Sequence, residues 1–232
     1  IVNEAFRVLR TNFEFTIGTH PEQNVIVFTS FNPGSGKSHI AANMAMSLAI
    51  KKKKVLLIDG DLRHGSTSML IHSPGEGLSD YLNGRIADIH DILYKGEENG
   101  LVKNFDVIPI GTIPPNPTEL LFTPLLEQMI KTMREEYDYV FIDCPPIEVV
   151  ADTPIYEQFA DRTIFVVRAG LMERSMLPEV NALYKAKKFK NMTLILNGTK
   201  AHGGRYGSHY GYGYGYGYGY NYNKEKNGGA KS

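Results

Sequence analysis

Six short apolar runs, mostly without polar alternation, constrain this chain more than any other feature. Val25–Thr29, Val55–Ile58, Phe105–Ile108, Val140–Ile142, Thr163–Val167 and Thr193–Leu196 are rich in β-branched and aromatic residues and read as strands. A strand that is apolar on both faces needs cover on both, and a parallel sheet flanked by helices provides it. Between these runs, Ser38 to Lys51, Thr118 to Glu136, Thr153 to Phe159 and Glu173 to Lys188 have helical spacing and few breakers. The alternation predicts an α/β fold with a doubly wound, mostly parallel sheet and helices on both faces. A further helix, Asn3 to about Phe15, precedes the first strand. It carries Ala5, Val8, Leu9 and Phe13 on one stripe and Glu4, Arg7 and Arg10 largely on another, and is expected to dock outside the core.

The pattern stops near residue 200. From Ala201 to Ser232 lie eight of the 14 tyrosines and ten of the 23 glycines, with no Leu, Ile, Val, Phe or Met to build a core. This segment reads as a mobile tail, and 1–200 as one domain of ordinary size. Lys and Arg number 25, as do Asp and Glu, so no basic field points to nucleic acid. The longest mostly apolar stretch, Ala41 to Ile50, is far short of the roughly 20 residues that span a bilayer. The chain opens on Ile1 and shows no signal peptide, so a portion upstream is allowed for. Cys144 is the single cysteine, which favours a reducing compartment such as the cytosol.

Three motifs follow three of the runs. The first strand leads through Ser30-Phe-Asn-Pro-Gly-Ser-Gly-Lys-Ser38 directly into a helix. Glycines there free backbone N–H groups for a β-phosphate, the helix start adds positive potential, Lys37 reaches the β and γ oxygens, and Ser38 ligates Mg²⁺. Gly34, Ser35, Gly36, Lys37, Ser38 and His39 are the nucleotide-binding residues on this reading, and the fold is of the P-loop NTPase type. The loop is a variant, because Phe31 stands where the strict pattern has Gly or Ala. The second motif, Val55-Leu-Leu-Ile-Asp-Gly-Asp-Leu-Arg63, puts Asp59 and Asp61 at a strand's C-terminal end, two residues apart and so on one side of an extended chain. The third, Val140-Phe-Ile-Asp-Cys-Pro-Pro146, ends a strand in Asp143, a candidate to hold Mg²⁺ directly or through water. Each alone has a plain structural reading as a helix cap or strand-to-turn junction. Together they imply an ATP·Mg²⁺ site.

These motifs, in this order and followed by a tyrosine cluster, resemble the bacterial tyrosine kinases of capsule and exopolysaccharide export. The resemblance runs from Glu4 to the tail and includes Pro114-Pro-Asn-Pro-Thr-Glu-Leu-Leu121. It implies an ATP-dependent autokinase that phosphorylates Tyr206, Tyr210, Tyr212, Tyr214, Tyr216, Tyr218, Tyr220 and Tyr222 between subunits. A family helix of the form Glu-x-x-Arg-x-x-Arg, associated with assembly into a ring, matches Glu4, Arg7 and Arg10; a solvated charged face is the plainer reading. The resemblance also implies a transmembrane polysaccharide co-polymerase as partner, fused upstream or separate, other protein substrates, and a place in the cytoplasm at the inner face of the bacterial membrane. The alternative is a nucleotide-switched assembly ATPase of the cell-division or partition type. Those proteins carry a second lysine near the start of the loop, where this chain has Asn32.

Phosphoryl transfer depends mainly on positioning and charge neutralisation. Lys37 and the loop amides are assigned to the phosphates, Ser38, Asp61 and Asp143 to the metal, and Asp59 to orienting or deprotonating a tyrosine hydroxyl. Asp59 and Asp61 can exchange roles. Arg63 either neutralises developing charge or pairs with an acid in its own loop; Asn197 either contacts adenine or forms a turn. The Lys-rich stretches Lys51 to Lys54 and Lys185 to Lys190 read as solvated helix ends.

Overall fold

A computed structural model describes residues 4–17, 20, 22–71, 75–148 and 152–199. The chain divides into two units, Ile1–Thr199 and Lys200–Ser232. The tail and all eight of its tyrosines lie outside the described residues.

Each apolar run forms a strand: β1 (Val25–Ser30), β2 (Val55–Asp59), β3 (Phe105–Ile108), β4 (Tyr139–Asp143), β5 (Arg162–Arg168) and β6 (Thr193–Asn197). They make one sheet in the order β3-β2-β4-β1-β5-β6, and every pairing is parallel. The chain therefore builds outward from β1 on one side and returns to build on the other. Ligands in open α/β sheets sit where the direction reverses, outside the C-terminal ends of the strands. Here those ends belong to β1, β2 and β4, and all three motifs start from them.

Alternate residues bury on opposite faces, as the strand period of two requires. Val25, Val27, Leu56, Ile58, Val140 and Ile142 share one apolar cluster with residues of α3 (Leu78–Leu82), α5 (Pro124–Glu136) and α6 (Thr153–Glu157). Ile26, Phe28, Val55, Leu57 and Phe141 belong to a second, with Ile40, Met44, Ala45 and Leu48 of α2 (Lys37–Ile50). A third, Phe31, Phe165, Val180 and Phe189, lies under α7 (Leu177–Lys185). A helix apolar on nearly all faces needs cover all round. For α2 the outer cover is α1 (Glu4–Ile17). Phe13 of α1 is buried, with its ring centroid 5.6 Å from Tyr139 and 5.8 Å from Phe141. The first helix is thus part of the core, contrary to expectation. Its inner stripe is Phe6, Leu9 and Phe13, while Val8 is exposed.

Three helical stretches are shorter than the sequence suggests, α6 ending at Glu157 where Phe159 is expected. The stretch 118–136 holds α4 (Pro117–Leu120) and α5, parted where Thr123 is extended at φ −73°, ψ 146°. Pro124 forces that, because a proline ring disfavours helical backbone in the residue before it. The stretch 173–188 opens with a 3₁₀ turn, Arg174–Met176, and leaves the helix at Lys185. The five-residue α3 and the 3₁₀ turns at Ser68–Leu70 and Ile89–Ile92 escape a periodicity argument because they are too short to show a period.

Candidate active site

The loop from β1 to α2 is shaped by short internal bonds. Ser30 Oγ and Ser35 Oγ both donate to Asn32 O, at 2.9 and 2.7 Å, and Gly34 and Gly36 adopt left-handed backbone at φ +74° and +89°. Phe31 is buried in the cluster under α7. Its side chain packs there, so the variant residue anchors the loop. Gly34, Ser35, Gly36, Lys37, Ser38 and His39 line a cleft of about 510 Å³, faced by Asp61, Arg63, His64, Ser66, Pro145 and Pro146. A cavity of about 590 Å³ opens at the other end of the strands, among Lys54, Lys95, Lys103, Glu97 and Glu136, but no motif residue reaches it.

Register brings the acids together. Asp59 and Asp143 are direct partners across β2 and β4, and both are fully buried. Lys37 Nζ donates to Asp143 Oδ1 and to Ser38 Oγ, each at 3.3 Å, while Thr67 Oγ1 donates to Asp143 Oδ2 at 2.7 Å. Asp59 Oδ2 accepts from the amide and hydroxyl of Ser68, at 2.7 and 2.8 Å, and its Oδ1 from the amide of Asp61 at 3.4 Å. Burial pushes the Asp59 carboxyl up to about 7, with the neighbouring Asp143 charge acting in the same direction. Asp61 faces the cleft, accepting from the amide of Arg63 at 3.3 Å and lying 3.2 Å from His64 Nδ1.

The arrangement bears on three sequence-based assignments, among them the Asp59 and Asp61 roles that the sequence leaves interchangeable. Asp59, expected to meet a tyrosine hydroxyl, lies behind the cleft wall with its oxygens engaged, and Asp61 is the acid that lines the cleft. Arg63 pairs with an acid from a different segment: it donates to Asp152, and at 2.8 Å to Thr118 Oγ1, which itself donates to Asp152 Oδ1 at 2.6 Å. Arg10 donates to Ser47 O at 2.9 Å and to Ser47 Oγ at 3.1 Å, which fastens α1 to α2. Of the three residues on that helix matched to the assembly motif, Glu4 and Arg7 stay exposed, joined to each other at 3.2 Å. Asn197 donates to Ser35 O at 2.9 Å and accepts from the amide of Gly198 at 2.8 Å, so it forms a turn and also touches the loop.

Thr67, Ser68 and Asp152 are polar partners that sequence reasoning passed over. Thr67 and Ser68 lie in a polar stretch after Asp59, and Asp152 before Thr153-Pro154 reads only as a helix start. Ser38 Oγ, Asp61 and Asp143 are oxygen-only donors, the set that suits a hard divalent cation. Among the described residues no group of three or more His, Cys, Asp or Glu could hold a metal ion by itself. Mg²⁺ fits that restriction, because one or two carboxylates plus substrate phosphates commonly hold it.

The chain has relatives among known proteins. Residues 23–172 match the model of a family described as an AAA domain. The chain is 34% identical over 208 residues to tyrosine-protein kinase CpsD of Streptococcus agalactiae, covering 89% of this chain and 87% of that protein. It is 35% identical over 169 residues to tyrosine-protein kinase Etk of Escherichia coli K12, covering 72% of this chain but 22% of that longer protein. It likewise spans 24% of the length of the putative tyrosine-protein kinase AmsA of Erwinia amylovora, at 36% identity over 78% of this chain. Among solved structures, the kinase domain of E. coli ETK superposes with a TM-score of 0.77 at 32% identity, covering 91% of this chain and 80% of that one. MinD of Pyrococcus horikoshii, complexed with Mg-ADP, has a TM-score of 0.61 at 24% identity over 75% of this chain and 69% of that one, and shares the fold alone.

Proposed function

The chain belongs to the bacterial tyrosine-protein kinases, and we propose that it transfers the terminal phosphoryl group of ATP to the tail tyrosines of a neighbouring copy. The observation that supports this reading is the meeting of Lys37, Ser38 and Asp61 around one cleft at the C-terminal ends of adjacent strands, with buried Asp143 bonded to Lys37 behind its wall.

Loop amides and Lys37 would hold the phosphates of ATP, and Ser38 and Asp143 would hold Mg²⁺, directly or through water. Bound there, Mg²⁺ would supply positive charge to neutralise the phosphates. Asp61 accepts the hydrogen bond of an incoming phenol, whose ordinary pKa near 10 calls for a carboxylate beside it. The phenolic oxygen forms the new bond to the γ-phosphorus, the bond to the β,γ-bridging oxygen breaks, ADP departs, and the phenolic proton passes to Asp61. Asp59 holds the Ser68 segment in place behind this acid. Residues 1–200 form the catalytic unit and 201–232 carry the acceptors. A flexible segment of about 30 residues reaches about 30 Å root-mean-square, enough to enter a neighbour's cleft.

Glu4 and Arg7 belong to the surface on which copies assemble into a ring. Each phosphotyrosine adds about 1.5 to 2 negative charges, so a heavily modified tail repels its neighbours and disfavours the ring. A transmembrane polysaccharide co-polymerase is the expected partner, which places the chain at the inner face of the membrane. No described helix is itself long and apolar enough to cross one.

Incubation with labelled ATP and acid-stable phosphoamino-acid analysis tests the reading. Phosphotyrosine that disappears in Lys37→Met supports it. Release of inorganic phosphate without phosphotyrosine overturns it in favour of an assembly ATPase.

A further inference from the structure

Two successive carbonyls of the phosphate loop are each met by a side chain from one of the two strands that follow β1 in the sheet, β5 and β6. Arg168, at the end of β5, donates from Nη1 to Gly34 O at 2.8 Å; Asn197, at the end of β6, donates from Nδ2 to Ser35 O at 2.9 Å. These two residues are register partners across β5 and β6, so one rung of the sheet grips two consecutive peptides. The Asn197 amide is oriented for this, because its Oδ1 accepts from the amide of Gly198. The fit is close: a Cβ on Gly36 would come within 2.4 Å of Asn197 Nδ2. Position 36 therefore excludes a side chain for its neighbour as well as for its left-handed φ of +89°.

A trans peptide is planar, with its C=O and N–H pointing in opposite directions. Holding the oxygens of residues 34 and 35 toward β5 and β6 therefore turns the N–H groups of Ser35 and Gly36 the other way. Neither of those amides donates to another described residue. On the reading that this loop holds the phosphates of ATP, they are donors left open for a phosphate. We infer that Arg168 and Asn197 are positioning residues, which set the loop's peptide planes before nucleotide arrives and so remove that ordering from the cost of binding.

The test uses the full chain, with affinities for ADP, ATP and GTP measured calorimetrically in Mg²⁺ and thermal unfolding as a check on folding. In Asn197→Ala the affinities for ADP and ATP fall by the same factor, about tenfold, while the ratio of ATP to GTP affinity stays as in wild type. The ATP KM rises and kcat at saturating ATP changes by less than about twofold, the pattern of lost uniform binding. Arg168→Ala, on the exposed side of the loop, costs about threefold, and Arg168→Lys, which keeps a donor, recovers most of it. Wild-type affinity in both alanine variants overturns the inference. So does an altered ATP-to-GTP ratio in Asn197→Ala, which makes Asn197 an adenine contact. If Asn197→Ala does not fold, Arg168→Ala and Arg168→Lys decide. Wild-type protein that fails to bind ADP removes the kinase reading underneath.

Discussion

Two loops leave neighbouring parts of one sheet edge and are built on opposite terms. The loop after β1 has its carbonyls tied down by Ser30, Ser35, Arg168 and Asn197, which leaves amide donors open. In the loop after β2 the carboxylates are tied down instead, Asp59 by Ser68 and by the amide of Asp61, and Thr67 reaches across to hold Asp143. One is shaped to receive negative charge and the other to keep its own negative charge in place beside it. The comparison explains how two acids two residues apart come to differ. Asp61 borders the cleft, and Asp59 serves the loop.

The largest effect expected in breaking this contrast is at Lys37. Lys37→Met should lower tyrosine phosphorylation by about 10³-fold while leaving the fold intact, as measured by labelled-phosphate transfer and circular dichroism. Asp61→Asn comes next, with kcat reduced about 10²-fold and little change in the urea midpoint, since its carboxylate faces the cleft. Steady-state kinetics with a saturating tyrosine acceptor would show it.

Asp59 sharpens the contrast through pH. Its carboxyl titrates near 7 in the folded, nucleotide-free protein, against an ordinary value of 3.8. The folded state therefore holds the proton more tightly. The stabilisation is fully present below about pH 4, declines as pH rises, and is gone once pH has passed through about 7. This group contributes at most about 4 kcal/mol to that slope. Asp59→Asn, which resembles the protonated form, should flatten the slope, so urea midpoints at pH 5 and pH 8 should differ less than in wild type.

Smaller effects test the surroundings. Ser68→Ala removes a hydroxyl that serves both Asp59 and the amide of Ile110, and should cost about 1 to 2 kcal/mol in denaturant unfolding. Arg10→Ala should lower monomer stability by about 1 kcal/mol, whereas Arg7→Ala should leave stability unchanged and alter only the size of the assembly in light scattering.

Much of this was legible in the chain itself. Five of the six runs are strands buried along most of their length, as doubly apolar runs in a covered parallel sheet should be, whereas β6 leaves Leu194 and Leu196 exposed. Asp59 and Asp143 end their strands, Asp61 follows just past β2 and Lys37 opens α2, where the local pattern alone places them. Reading Thr118 to Glu136 as one helical stretch passed over the boundary at Pro124, although the constraint that proline puts on Thr123 is local. What could not be read were partners set by the third dimension. Asp152 meets Arg63 from 89 residues away, and Arg168 meets Gly34 from 134 away, with no spacing rule to link them. Nor does Arg10 announce that its guanidinium reaches Ser47 and not solvent, since both choices fit the same helical stripe.

The covering of α2 by α1 bears on where the protein can be cut. A fragment trimmed to residues 23–172, the stretch matching the AAA domain, would lose Phe13 and the Arg10 bond to Ser47, baring Met44 and the aromatic ring of Tyr139 to water. It would also leave β5 as a raw sheet margin. Such a piece would tend to stick to itself, and expression plans should keep both flanks.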